Sequence, residues 1–124
     1  MVSRCAESLK DTYEQIRLKM ITLGLIHCDE TGSRVDGKTC WVHVASDQNY
    51  TYLTINQKRG QAGMDAANVL PHAHGIIVHD CWSSYWKYQD VTHAICCAHL
   101  LRELNGVIEN HPEQTWAVRF KNLL

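Results

Sequence analysis

The sequence predicts an α/β fold: a mixed sheet made of a three-stranded antiparallel meander and parallel strands, flanked by helices. Two observations predict the sheet. Asp36-Gly37 separates two stretches rich in β-branched and aromatic residues, and this dipeptide favours a tight hairpin because both positions tolerate positive φ. Residues 75–80 form a compact apolar run, GIIVHD, after a stretch of helical composition. A right-handed crossover would lay this run parallel to an earlier strand.

Length, composition and charge restrict the function classes. With 124 residues and 45% hydrophobic content, the chain can bury one modest core, so we expect a single domain over residues 1–124. The formal net charge of −1 lacks the basic excess of a self-sufficient nucleic-acid binder, so any DNA contact must be local or come from other parts. No run approaches the roughly 18 apolar residues of a membrane span. We expect a cytoplasmic protein with no membrane partner and free cysteine thiols.

Helical periodicity is found near both ends of the chain. Residues 1–24 are predicted to form a leading helix that Gly24 can end. The stretch from Ala94 to Ile108 and the residues after Pro112 predict two further helices. The apolar face of the leading helix comprises Leu9, Tyr13, Ile16, Met20 and Leu23.

The central part of the chain predicts strands with one helix among them. Residues 25–29, LIHCD, form a short strand, and the hairpin turn brings the next strand back antiparallel to it. A turn signal at residues 47–49 precedes a third strand, YTYLTI. Residues 61–70 have helical composition and stop at Pro71. The apolar run at residues 75–80 is typical of a strand buried on both faces.

Two aspartates end the two apolar strands, Asp29 in the first and Asp80 in the run at residues 75–80. If these strands are parallel neighbours about 4.8 Å apart, both carboxylates can converge on one or two divalent cations. Mg²⁺ suits such a site because it takes hard oxygen ligands and recruits phosphate oxygens to complete its shell. An aspartate after a strand also often caps a turn or a helix, so these residues alone leave both interpretations open.

Several blocks of the chain carry a resemblance to a known family. The most specific motifs are an Asp-Glu-Thr-Gly block, an apolar strand that ends in His-Asp, and a Cys-x-His-Leu-x-Arg-Glu-Leu helix. In this order and spacing, the sequence resembles the DDE-type transposases of the insertion-sequence family numbered sixty-six. The resemblance covers nearly the whole chain, and its blocks are HCDETGSRVDGKTCWVHVAS, KRGQAGMDAANVLPHAHGIIVHDCWSSYWKY, HAICCAHLLREL and TWAVRFKNLL.

The resemblance implies a ribonuclease-H-like fold and metal-dependent phosphoryl transfer that cleaves and joins DNA strands. Asp29 matches the first and Asp80 the second acidic position of the DDE triad, whose carboxylates hold two Mg²⁺ or Mn²⁺ ions in the complete domain. The implied partners are transposon ends and target DNA, other regions of a full-length bacterial transposase and, in a homo-oligomer, a second copy of the chain.

The resemblance also implies a third acidic residue, a glutamate on a later helix. In the family it lies downstream of the block that resembles TWAVRFKNLL, so we expect residues 1–124 to be a catalytic-domain fragment, incomplete at the C-terminus and inactive alone. Glu103 is an alternative third ligand, although its place beside Arg102 favours a helix-surface charge. Glu30 follows Asp29 directly and should point to the opposite face of the strand. A domesticated remnant without catalytic activity is a further alternative.

A cluster of histidines and cysteines suggests a different class of function, a zinc-binding interaction module. Structural zinc sites usually show two separated ligand pairs, a spacing that this cluster lacks. Buried cysteine beside hydrogen-bonded histidine is therefore the favoured interpretation. The cluster comprises His72, His74, His79, Cys81, His93, Cys96, Cys97 and His99.

Lys58, Arg59 and Trp82 are the candidate DNA contacts. Lys58 and Arg59 lie in a predicted turn and could bind phosphates, although basic turn residues are often only solvated. Trp82 follows Asp80 closely and begins an aromatic run that could stack on bases. Aromatic residues at near-helical spacing are more often part of a core. The rest of this run comprises Tyr85, Trp86 and Tyr88.

Overall fold

The computed structural model describes all 124 residues and divides them into two compact units, Met1–Ala94 and Ile95–Leu124. None of its helices combines the length and hydrophobicity needed to cross a bilayer. The single domain expected from the sequence stays a prediction. In chain order the elements are α1 (Val2–Thr22), β1 (Leu25–Val35), β2 (Lys38–Ser46), β3 (Thr51–Asn56), α2 (Gln61–Ala67), β4 (Ile76–His79), β5 (Thr92–Ile95), α3 (Cys97–Asn110) and α4 (Thr115–Lys121).

A mixed sheet with the strand order β3-β2-β1-β4-β5 organises the first unit. β1 pairs antiparallel with β2, and β2 pairs antiparallel with β3, which is the predicted meander. β4 pairs with β1 in parallel, as the predicted crossover requires. The predicted α/β class and mixed sheet are therefore confirmed, and β5 is an additional strand beside β4.

The hairpin between β1 and β2 turns at Asp36-Gly37, as the sequence predicts. Both residues have positive φ, 49° at Asp36 and 75° at Gly37, and Val35 pairs with Lys38 across the turn. β1 has 11 residues and is longer than predicted, because the hairpin keeps it paired with β2 from His27 to the turn.

The core of the first unit packs against one face of the sheet, and this corrects the prediction that β4 is buried on both faces. Burial alternates along β4: Ile77 and His79 are fully buried, whereas Ile76 is 38% exposed. α1 and α2 contribute Met20 and Met64 to the same core. β4 therefore has one buried face, like a strand of a half-covered sheet.

The leading helix predicted for residues 1–24 is confirmed as α1, but its apolar face is buried only near its C-terminal end. Met20 is fully buried, whereas Leu9 and Tyr13 are 53% and 42% exposed. The tyrosine hydroxyl still donates a hydrogen bond to the carbonyl oxygen of Leu53, so Tyr13 ties the helix to β3.

The predicted end of the helix at residues 61–70 is wrong. α2 ends at Ala67, because Asn68 adopts a left-handed conformation with φ 56°. Pro71, which was expected to stop the helix, lies instead within a 3₁₀ turn at Leu70–His72.

The second unit contains the last two helices. The helix predicted to start at Ala94 starts at Cys97, because the preceding residues form β5. The helix predicted after Pro112 is confirmed as α4. The two helices pack on each other, and each buries one residue, Leu104 in α3 and Ala117 in α4.

Close packing of α2 generates a stability prediction. A Cβ on Gly63 would overlap with the carbonyl oxygen of Lys58 and would lie 2.6 Å from Nε2 of His43. We expect Gly63→Ala to lower the free energy of unfolding by about 1–3 kcal/mol, as overpacking does. The measurement is urea denaturation followed by circular dichroism.

Gly106→Ala is the matched control, because Gly106 also lies in a helix but a Cβ there meets no atom within 4 Å. This substitution should raise stability by up to about 1 kcal/mol through helix propensity. If both substitutions changed the free energy of unfolding equally, the close packing around Gly63 would be contradicted.

Candidate active site

The register between β1 and β4 aligns the two candidate metal ligands. The paired residues are Leu25 with Ile76, Ile26 with Ile77, and His27 with Val78. Continued by two residues, the same register brings Asp29 level with Asp80, the first residue after β4. The predicted parallel adjacency of the two strands is confirmed, and neighbouring strands of a sheet lie about 4.8 Å apart.

Alternation along the strands directs both aspartates away from the core. In β1, Cys28 and Glu30 are buried, whereas Asp29 between them is exposed. His79 at the end of β4 is fully buried, and the next residue, Asp80, is half-buried. Since side chains of a strand point alternately to its two faces, Asp29 and Asp80 belong to the same solvent-facing row.

Each aspartate uses one carboxylate oxygen for a local hydrogen bond. Asp29 Oδ1 accepts from the backbone N–H of Glu30 at 2.9 Å, and Asp80 Oδ1 accepts from the backbone N–H of Trp82 at 2.9 Å. No protein group donates to Oδ2 of either residue. The pair therefore offers hard oxygen ligands of the kind that Mg²⁺ or Mn²⁺ takes, with water or phosphate completing the shell.

The turn after β4 fixes the position of Asp80. Cys81 has a φ of 72°, a left-handed conformation that costs roughly 1–2 kcal/mol for a residue with a Cβ. Two hydrogen bonds hold this turn: the Cys81 N–H donates to His79 Nδ1 at 3.0 Å, and the Trp82 N–H donates to Asp80. These two hydrogen bonds thus stabilise the strained backbone at Cys81, next to Asp80.

His79 continues this hydrogen-bond chain into the core. Because its Nδ1 accepts from Cys81, its Nε2 must carry the proton and donate to His93 Nδ1, 3.0 Å away. His93 Nε2 then donates to the carbonyl oxygen of Tyr88 at 3.0 Å. This sequence of donors and acceptors requires both imidazoles to be neutral.

A buried polar network lies on the opposite face of β1 from Asp29. The Glu30 carboxylate, whose side chain has no exposed surface, accepts from the Tyr85 hydroxyl at 2.6 Å and from Arg59 Nε at 3.1 Å. The Arg59 guanidinium lies over Trp82 at 4.1 Å and over Trp41 at 4.9 Å. The sequence predicts the direction of the Glu30 side chain but not its partners.

The candidate DNA contacts have different environments. Lys58 is exposed, whereas Arg59 is held by Glu30 and retains a side chain that is 39% exposed. Trp82 is half-buried beneath Arg59. Within the aromatic run after Asp80, Tyr85 and Tyr88 belong to the core and Trp86 is 46% exposed.

The histidine and cysteine cluster does not converge. No three His, Cys, Asp or Glu side chains are placed to hold a metal ion together. Only Cys28 is a buried thiol, and burial, with smaller effects from Glu30 and Asp29, raises its pKa to about 12. A hydrogen bond with His99 lowers the pKa of Cys96. Glu103, the alternative third acid, is exposed on α3.

Comparison with known proteins identifies the family. The sequence profile of the family described as "Transposase IS66 family" matches residues 1–124. The chain belongs to the IS66 transposase family. The resemblance seen in the sequence is thereby confirmed. Membership assigns this IS66-family chain to DNA transposition in general.

Two solved structures match part of this chain at low sequence identity. The HTLV-2 integrase catalytic core domain in complex with magnesium, in its dimeric form, has 14% identity and a TM-score of 0.48 over 78% of this chain and 81% of its own. The simian T-cell lymphotropic virus intasome in complex with PP2A regulatory subunit B56 gamma has 12% identity and a TM-score of 0.49 over 78% of this chain and 46% of its own. Among curated proteins, no relative matches the IS66-family chain.

The buried histidine makes stability depend on pH. Burial lowers the pKa of His79 below its ordinary value of 6.5, His93 lowers it further, and Asp80 acts in the opposite direction. The unfolded chain therefore binds this proton more readily than the folded chain does. The stabilisation from neutral His79 is complete above pH 6.5 and is lost as the pH falls from there through the folded-state pKa.

We expect the melting temperature to fall as the pH is lowered from about 7.5 to about 5. The substitution His79→Asn should weaken this dependence on pH. The asparagine keeps an acceptor for the Cys81 N–H but does not titrate. His74→Asn, at an exposed position, is the control and should leave the slope unchanged. Thermal melts over this pH range give the measurement, and an unaltered slope in His79→Asn would contradict the assignment.

Proposed function

We propose that Asp29 and Asp80 are the first two metal ligands of a DDE catalytic centre that performs phosphoryl transfer on DNA. The observation that supports this proposal is the parallel register of β1 and β4, which aligns the two aspartates on the solvent-facing side of the sheet. Membership in the IS66 transposase family supports the proposed reaction class, which is cleavage and joining of DNA strands.

The chain supplies orientation and charge to this chemistry. Mg²⁺ or Mn²⁺ ions, when bound, lower the pKa of an attacking water or DNA 3′-hydroxyl and stabilise the leaving oxygen. Asp29 is held on a strand that continues for six residues to the hairpin, so its backbone is fixed by β2. Asp80 is held by its own bond to Trp82. In each case Oδ1 is used locally, which leaves Oδ2 for a cation.

Two carboxylates complete only part of a two-metal site. We propose that a third acidic residue comes from another region of a full-length transposase. Glu103 is exposed on α3, as is usual for a charged residue on the surface of a helix. DNA phosphates would supply further oxygen ligands. Residues 1–124 alone would then bind a divalent cation weakly.

We also propose that Lys58, Arg59 and Trp82 contact DNA. Lys58 is exposed, and Arg59 uses Nε and Nη2 for Glu30, which leaves Nη1 for a phosphate oxygen. The proposed partners are transposon ends, target DNA, other transposase regions and a second copy of the chain. The proposed location is the cytoplasm, where six free thiols are stable.

Metal binding tests the proposed ligand pair. Asp29→Asn and Asp80→Asn should each reduce Mn²⁺ binding to background, because each removes one of two carboxylate ligands. Asp90→Asn, at an exposed position ten residues after Asp80, should bind like the wild type. Water-proton relaxation enhancement during an Mn²⁺ titration measures the affinity. Wild-type binding in either aspartate variant would refute the shared site.

Activity of the chain alone is the second test. Incubated with matched transposon ends and Mg²⁺ or Mn²⁺, residues 1–124 should neither cleave nor join DNA, because two-metal catalysis requires both oxygens to be fixed and small misplacements cost roughly 10²-fold. Electrophoresis of labelled DNA gives the measurement. Cleavage that is lost in an Asp29→Ala, Asp80→Ala double mutant would contradict the need for a third residue from outside the chain.

A further inference from the structure

We propose that the network of Glu30, Tyr85 and Arg59 is a positioning device that sets the separation of Asp29 and Asp80 from the opposite face of the sheet. The inference rests on the proposed metal role of the two aspartates. It assigns a function to three residues that are not proposed metal ligands, and it is separate from the proposed DNA contact of Arg59.

The β1–β4 ladder ends before it reaches the aspartates. The last residue pair between β1 and β4 is His27 with Val78, two positions before Asp29 and Asp80. β1 continues and stays paired with β2, where Asp29 faces Val44. No backbone ladder therefore joins the two aspartates, and their separation depends on other contacts.

Tyr85 and Glu30 supply the first of these contacts. Glu30 follows Asp29 on β1, and Tyr85 lies in the 3₁₀ turn that begins five residues after Asp80. The tyrosine is 2% exposed and donates a 2.6 Å hydrogen bond to Glu30 Oε2. This short bond joins β1, beyond the last pair of the ladder, to the segment that follows β4.

Arg59 supplies the second contact. Its Nε donates to Glu30 Oε1, and its Nη2 lies 3.1 Å from the same oxygen. The guanidinium stacks on Trp82, the second residue after Asp80, and on Trp41 of β2. One planar group thus connects β1, β2 and the segment that follows Asp80.

The burial of the Glu30 carboxylate in this ion pair needs an explanation other than stability. Glu30 has lost all contact with water, and the desolvation of a charge offsets most or all of the gain from its partner. Well-packed apolar side chains of similar volume often stabilise a fold as well or better. A buried pair does fix direction and distance, and the groups fixed here are the neighbours of the two proposed ligands.

The same core contains a comparable hydrogen bond that does not connect β1 with the segment after β4. The Tyr88 hydroxyl donates to Asp65 Oδ1 at 2.7 Å, so it ties the segment before β5 to α2. Tyr88 is 8% exposed and belongs to the same core as Tyr85. Removing either hydroxyl should cost similar stability, but only the Tyr85 bond connects β1 beside Asp29 with the segment that follows Asp80.

The experiment compares Tyr85→Phe with Tyr88→Phe in the 124-residue chain, with Mn²⁺ alone as the probe. Each substitution removes one oxygen and keeps its ring in the core. We expect Tyr85→Phe to weaken Mn²⁺ binding by about 10-fold, the effect typical of a residue that orients a metal ligand. Tyr88→Phe should keep the wild-type Mn²⁺ affinity. Thermal melts establish whether the two variants have lost similar stability.

Arg59→Lys is a second variant, because lysine keeps a positive charge near Glu30 but cannot stack as a planar group between two indoles. It should also weaken Mn²⁺ binding, and the absence of DNA separates this effect from any phosphate contact. Equal Mn²⁺ affinities in Tyr85→Phe, Tyr88→Phe and wild type would overturn the positioning role.

The outcomes distinguish this inference from the proposed function. If Asp29→Asn and Asp80→Asn keep wild-type Mn²⁺ binding, the shared metal site is wrong. If both aspartate variants lose binding while Tyr85→Phe keeps it, the site stands and the positioning role fails. Loss in the aspartate variants together with a selective loss in Tyr85→Phe supports both.

Discussion

The parallel pairing of β1 with β4 is the constraint on which the rest of the site depends. It consists of three residue pairs, whereas β1 forms nine with β2 on its other side. β1 is therefore held mainly by β2, and Asp80 lies in the turn that follows β4. The contacts around Asp80 come from this turn and its surroundings: the left-handed Cys81, the histidine chain that begins at His79, and the aromatic residues that follow.

Strand geometry gives two consecutive acidic residues opposite environments. Asp29 faces solvent and has an oxygen without a protein donor, whereas Glu30 is buried and fully engaged. A one-residue shift of β1 would exchange the two, because every side chain would move to the other face. The long hairpin with β2 prevents that shift, since Asp36-Gly37 fixes the register at the turn.

Local patterns in the sequence were sufficient to predict those elements whose structure is determined by short-range interactions. The Asp36-Gly37 turn, the leading helix and the apolar run of β4 were predicted because each has a short-range signal in composition or spacing. β5 was missed, since four residues with no flanking turn signal carry too little pattern to separate a strand from a helix start. The end of α2 was misplaced because Asn68, rather than the proline, terminates it.

The candidate site was predictable to the extent that strand patterns and the family motifs define it, and Asp29 and Asp80 were predicted in this way. The network behind them was not predictable. Glu30 is 29 residues from Arg59 and 55 from Tyr85 in the sequence, so no local spacing connects them. Such contacts arise from tertiary packing, which only the three-dimensional structure reveals.

The strand order also bears on how this protein folds. β1, β2 and β3 are consecutive in the chain and joined by short turns, so their pairing closes small loops. The β1–β4 pair joins segments roughly fifty residues apart, and it needs the crossover through α2 before any of its contacts form. We expect the meander to form early in folding and β4 to dock late. The two aspartates would then come together in one of the last steps, when the remaining sheet already provides a template.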